Sequence, residues 1–166
     1  MARIETRTRN TSYTVGAGIG AGMVAALVMG ILAMIVFGAR GQGFFTPLQV
    51  IAAVLMGSDA LVYTFWSTLL GLGIHLITGA FFGALFALIA RPIRTQSMRM
   101  AAGLTYGTVV FLVMTYLVLP WANPIMAAAI EPGWFYLYHL AYGAVLPLML
   151  PRRATVTTTY RRESRA

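Results

Sequence analysis

Apolar residues in this chain come in long runs, not in the alternating patterns of water-soluble helices and strands. Four runs stand out: Val15 to Ala39, a stretch within Ala60 to Ala90, Met100 to Leu119, and Trp134 to Leu150. A bilayer core takes about 20 apolar residues per helix, so each run predicts a membrane span, at about 15–39, 66–90, 100–119 and 134–150. The second run is too long for one straight crossing. A break at Gly71-Leu72-Gly73 is expected, with the part before Trp66 in the interface, and Pro92 helps to end the helix. Pro147 predicts a kink in the last span. Between the first two spans, Pro47 to Gly57 starts with proline and ends with glycine, as a short helix does, yet is too short to cross. It is interfacial or re-entrant. The interfacial form is favoured, because irregular backbone at membrane depth needs a protein-lined cavity.

The pattern predicts an all-α polytopic membrane protein: a four-transmembrane-helix bundle forming one domain over residues 15–150, with basic tails at 1–14 and 151–166. The tails are polar and threonine-rich, and no structure of their own is expected. Composition agrees with a lipid environment. Hydrophobic residues make up 59% of the 166 and charged residues 10%, against about 25% charged in soluble domains. The first run is too long for the apolar core of a signal peptide and is read as an uncleaved span.

The formal charge of +8 would suit nucleic acid, but its distribution follows membrane topology. All the basic residues are arginine. Arg3, Arg7 and Arg9 precede span one, Arg91, Arg94 and Arg99 lie between spans two and three, and Arg152, Arg153, Arg161, Arg162 and Arg165 follow span four. Only Arg40 falls on the other side. The positive-inside rule makes the arginine-rich side cytoplasmic, with both termini there. The expected location is a bacterial cytoplasmic (inner) membrane. Trp66, Trp121 and Trp134, with Phe44, Phe45, Tyr63 and Tyr136, form an aromatic belt at the outer ends, where Asp59 and Glu131 also lie.

The two halves resemble each other. Leu27 and Gly30 ahead of Phe44-Phe45-Thr46-Pro47 match Leu104 and Gly107 ahead of Trp121-Ala122-Asn123-Pro124, at a constant offset of 77. His75-Leu76-Ile77-Thr78-Gly79-Ala80 matches His139-Leu140-Ala141-Tyr142-Gly143-Ala144 at an offset of 64. Two tandem two-helix repeats are expected, related by an axis along the membrane normal.

Cysteine is absent, which excludes disulfides, thiolate metal sites and cysteine nucleophiles. No nucleophile–base–acid set is present, so no catalytic residue is assigned, and two histidines alone make a poor zinc site. Gly16, Gly18, Gly20 and Gly22 superficially resemble a nucleotide loop but open a membrane helix, so close packing explains them better. Gly18, Gly22 and Gly30, Gly79 and Gly83, Gly103 and Gly107, and Gly143 are assigned to helix packing, since small residues at four-residue spacing let backbones approach. His75 and His139 are the only ionisable side chains within the spans. They are read first as neutral imidazoles hydrogen-bonded across helices. The alternatives are a polar lining for a proton or solute path, and a pair of haem b ligands. Close glycine packing on the face of His75 weighs against a haem held edge-on there.

Residues 70 to 153 resemble the YagU-like bacterial inner-membrane proteins. The resemblance rests on Ile74-His75-Leu76-Ile77, a glycine-rich third span after a basic loop, a proline-containing outer loop, Tyr138-His139-Leu140, and Arg152-Arg153. It implies a small inner-membrane protein without an established catalytic role and assigns none to either histidine. The leading expectation is a non-catalytic structural or accessory subunit of a membrane complex. Its partners would be the bilayer and either other proteins or a second copy docked through the glycine stripes, and nucleic acid is not among them. A small transporter or channel with a histidine-lined path between the repeats is the alternative. That alternative requires a cavity between the halves that reaches His75 or His139. A bis-histidine haem b electron-transfer module comes third.

Overall fold

The computed structural model describes residues 3–10, 15–62, 64–151 and 155–162. Tyr63, Arg152, Arg153 and Arg165 lie outside these, and of residues 3–10 and 155–162 only the backbone is described. The helices are α1 (Val15–Ala39), α2 (Thr46–Met56), α3 (Phe65–Ile89), α4 (Gln96–Ala122), α5 (Pro124–Ala129) and α6 (Pro132–Met149). A 3₁₀ turn, Gly57–Leu61, follows α2. By length and composition, α1, α3 and α4 are each able to cross a membrane. The 18-residue α6 packs along both α4 and α1. The tails, for which no structure of their own is expected, form a two-stranded antiparallel ladder. Strand β1 (Arg3–Asn10) pairs with β2 (Thr155–Arg162), with Arg3 opposite Arg162.

The helices are arranged inside out relative to a soluble protein. The buried residues of α1 are all Gly or Ala (Gly18, Ala21, Gly22, Ala25, Ala26 and Ala33), while Ile19, Val24, Leu27, Ile31 and Ile35 are exposed. With lipid outside, large aliphatic side chains gain nothing by leaving it, so association is won by backbone proximity at small residues. The helices pair accordingly. Gly22 of α1 lies against the Gly79 carbonyl and Gly83 of α3, and Gly18 against Ala87 and the Gly83 carbonyl. In the second pair, Gly103 of α4 lies against the Gly143 carbonyl of α6, and Gly107 against the His139 carbonyl. Pro147 contributes here, because its missing N–H leaves the Gly143 carbonyl without its helical donor. Gly103 brings its backbone onto that carbonyl and also meets the Pro147 ring. Pro147 sits in the last turn of α6, fully buried.

Two local features depart from the sequence-based expectations, and a third bears on a segment they left open. Helix α3 runs unbroken through Gly71-Leu72-Gly73. Gly71 does not interrupt it but provides a side-chain-free seat for the Leu48 carbonyl of α2. Helix α4 extends well past both ends of 100–119. At its start the Thr95 hydroxyl caps it, accepting from Met98 N–H at 3.3 Å. Near its end Pro120 would clash with the preceding turn, and a π-helical turn at Met114–Val118 takes up the misfit. Finally, α2 is built into the protein: Pro47, Leu48, Gln49, Val50, Ala52 and Ala53 are buried, mostly against α3. Asn123, itself buried, ties the far loop to it. Its amide donates to the Val50 carbonyl at 2.8 Å, and its Oδ1 caps α5 at Met126 N–H, 3.0 Å.

Candidate functional site

Apart from Gly71 under α2, the close glycine contacts between helices lie within the two pairs, α1 with α3 and α4 with α6. Between the pairs they leave a cavity of about 440 Å³. Its walls run from Ala26 to Arg40 on α1, Ile74 to Phe82 on α3, Val110 to Ala122 on α4 and Pro132 to Tyr142 on α6, with α2 closing one side. Most of the lining is aliphatic or aromatic. The polar groups fall into two sets. Arg40, Gln42 and Glu131 stand at the end where α1 stops and α6 begins, and His75, Thr78, Tyr138, His139 and Tyr142 lie deeper. Arg40 and Glu131 form an ion pair across that end, joining residues 91 apart in sequence.

At the other end the cavity is shut. The Tyr142 hydroxyl donates to the Gly79 carbonyl at 2.8 Å, and the Tyr106 hydroxyl to the Phe82 carbonyl at 2.7 Å. Both bonds cross from the second pair onto α3. Beneath them Phe86 and Leu146 are fully buried with Ala21, Ala25, Ala87 and Ala90. The cavity is therefore closed toward the Phe86–Leu146 end of the bundle.

Both histidines line the cavity. His75 Nε2 is 2.9 Å from the Ala26 carbonyl of α1, an inter-helix bond of the kind expected. His139 Nδ1 is 2.8 Å from the Phe135 carbonyl of its own helix, with the Phe111 and Phe135 rings packed around it. A carbonyl only accepts, so the bonded nitrogen carries the proton and, in a neutral ring, the other nitrogen carries a lone pair. Neither Nδ1 of His75 nor Nε2 of His139 has a protein partner among the described residues. A bis-imidazole haem would have to displace the His75–Ala26 bond or ligate His75 through Nδ1. Among the described residues no three His, Cys, Asp or Glu side chains gather as a metal-binding group.

The packing glycines are engaged inside the chain. Gly30 faces His75, with an added Cβ 3.3 Å from Nε2, and the other seven sit in the two pair contacts. Gly20, which the sequence reading explained by close packing along with Gly18 and Gly22, instead has open space around it, as do Gly41, Gly57, Gly73 and Gly133. Sequence reasoning did not assign three residues that shape the cavity: Tyr138, whose buried hydroxyl has no hydrogen-bond partner among the described residues, and the Arg40–Glu131 pair. The position of Tyr138 beside His139 was the available signal for the first. Nothing local signals a pairing across 91 residues. Comparison with known proteins adds no identity: no family model, curated protein or solved structure matches the chain.

Proposed function

We propose that the protein is a small, non-enzymatic membrane transporter or channel whose solute path runs between two helix pairs. The observation that carries this reading is the cavity between the two helix pairs, which reaches both His75 and His139. The accessory-subunit reading drew on small size, absent catalytic groups, basic tails and the glycine stripes as docking faces, and of these the stripes are taken up by pairing within the chain.

In this reading α1, α3, α4 and α6 all cross the bilayer as a four-helix bundle. At 18 residues α6 is about 27 Å long, close to the thickness of the hydrocarbon core, and its aromatic first turn stands at the outer interface. Eleven of the twelve arginines then face the cytoplasm of a bacterial inner membrane. The β1–β2 ladder supports having both termini on one side. The pairs are the two repeats. Under the offsets of 77 and 64, Ala26 and Gly79 correspond to Gly103 and Gly143, and each of these couples is in close contact. Gly30 against His75 likewise corresponds to Gly107 against the His139 backbone. The symmetry is incomplete. α1 packs along α6, whereas α4 meets α3 chiefly through the Tyr106 side chain on Phe86 and the Phe82 carbonyl. The open end faces outward and the Phe86–Leu146 layer closes the inner side.

The natural absence of cysteine makes the test direct. Met114→Cys, on the cavity wall, and Leu146→Cys, in the closing layer, are labelled with a membrane-impermeant maleimide in right-side-out and inside-out vesicles. Met114→Cys should react from outside. Leu146→Cys should react from the inner side as the pairs rock open. A Leu146→Cys that never reacts from the inner side, in protein that still labels at Met114→Cys, would falsify a through-path.

A further inference from the structure

The hydrogen-bonding groups on the cavity wall are lopsided, and the imbalance identifies a ligand class. His75 Nε2–H is committed to Ala26, His139 Nδ1–H to Phe135, the Tyr142 hydroxyl to Gly79, and the Asn123 amide to Val50. Below the Arg40–Glu131 rim, two imidazole lone pairs remain, on His75 Nδ1 and His139 Nε2. The Thr78 and Tyr138 hydroxyls are also there, and each can accept as readily as donate. The wall thus offers a surplus of acceptors. The other walls are apolar, with the Phe82, Trp134 and Phe135 rings among them. Such a space suits flat or aliphatic bodies that leave water readily. The two half-exposed rim charges neutralise each other, so the entrance carries no net charge that would select an ion.

We infer that the cavity takes an uncharged, ring-sized apolar molecule bearing an N–H or O–H donor, held by hydrogen bonds to the imidazole lone pairs of His139 and His75. This rests on the solute-path reading and supplies its substrate class. A molecule of equal shape with only an acceptor would leave the imidazoles unpaired and find few donors. A plain hydrocarbon would fill the space as a lipid chain does, without selectivity.

The test uses three molecules of nearly identical shape: carbazole, which has an N–H donor, dibenzofuran, which has only a ring-oxygen acceptor, and fluorene, which has neither. Each is titrated against maleimide labelling of Met114→Cys in lipid vesicles, with free concentrations measured in the same vesicles. Carbazole should protect at about fivefold lower concentration than the other two, the factor one net hydrogen bond provides. In His139→Phe, or in His75→Phe should His139→Phe fail to fold, the preference should collapse while fluorene protects as before. Equal protection by all three, better protection by dibenzofuran, no protection by any, or a preference that survives both substitutions would each overturn the inference. The outcomes also separate this inference from the reading beneath it. An unreactive Leu146→Cys with the carbazole preference intact removes the through-path and leaves a donor-selective binding site. A reactive Leu146→Cys without the preference removes the ligand class alone.

Discussion

Replacing Gly22 by alanine tests whether the bundle is held by backbone contact. An added Cβ at Gly22 would stand 2.8 Å from Gly83 Cα and 3.0 Å from the Gly79 carbonyl carbon, with the Gly79 oxygen nearer still. Carbon atoms in contact prefer about 3.5–4.0 Å, so α1 and α3 must part locally by about 1 Å. One turn along α1, the His75 Nε2–Ala26 bond of 2.9 Å would stretch to about 3.9 Å and cease to be a hydrogen bond. Overpacking of this kind costs about 1–3 kcal/mol, and an inter-helix bond in a membrane averages about 0.6 kcal/mol. Gly22→Ala should therefore destabilise the protein by about 2–3 kcal/mol. Gly20→Ala is the control: it is the same change on the same helix, with nothing within 4 Å of the new methyl. By helix propensity it should leave stability unchanged or raise it by up to about 1 kcal/mol. The assay is reversible unfolding in mixed micelles with increasing SDS, followed by helical circular dichroism and Trp fluorescence. Equal stability of the two variants would refute backbone contact as the pairing force.

Three further outcomes are expected. Asn123→Ala removes the α5 cap and the bond to Val50, and should cost about 1–2 kcal/mol in the same unfolding assay. Glu131→Gln breaks an ion pair whose side chains are 43% and 54% exposed, so the loss should stay within about 1 kcal/mol and shrink as salt is raised. Reporter fusions after Arg94 and Arg153 should report cytoplasm and those near Gly57 and Glu131 the exterior; an exterior signal at Arg94 would exclude the proposed topology.

The ends of α1 and α3 were legible because their apolar runs stop at polar or aromatic residues whatever the neighbours do, and both helices end within a residue of expectation. The role of the glycines was legible too, since a four-residue stripe of small residues has few uses besides pairing. Gly71 was misread, because a glycine that weakens a helix and one that seats another backbone look alike until Leu48 is in place. The π turn ahead of Pro120 was equally hidden: a proline predicts a disturbance, and how the backbone absorbs it depends on the helices alongside. For the site, the sequence exposed His75 and His139 through their cost in lipid. The cavity was not legible, because it is a gap between pairs and no single segment encodes a gap.

Helix α6 touches both its own partner, α4, and the first helix of the chain, α1. That sharing has a consequence during synthesis. The α1–α3 pair is complete once residues near Ala90 are made, but the α1 face at Ala21 and Ala25 stays in lipid until Tyr142 and Leu146 arrive. In that interval the face is equally suited to α6 of a neighbouring chain, reached through the Ala90–Thr95 connection.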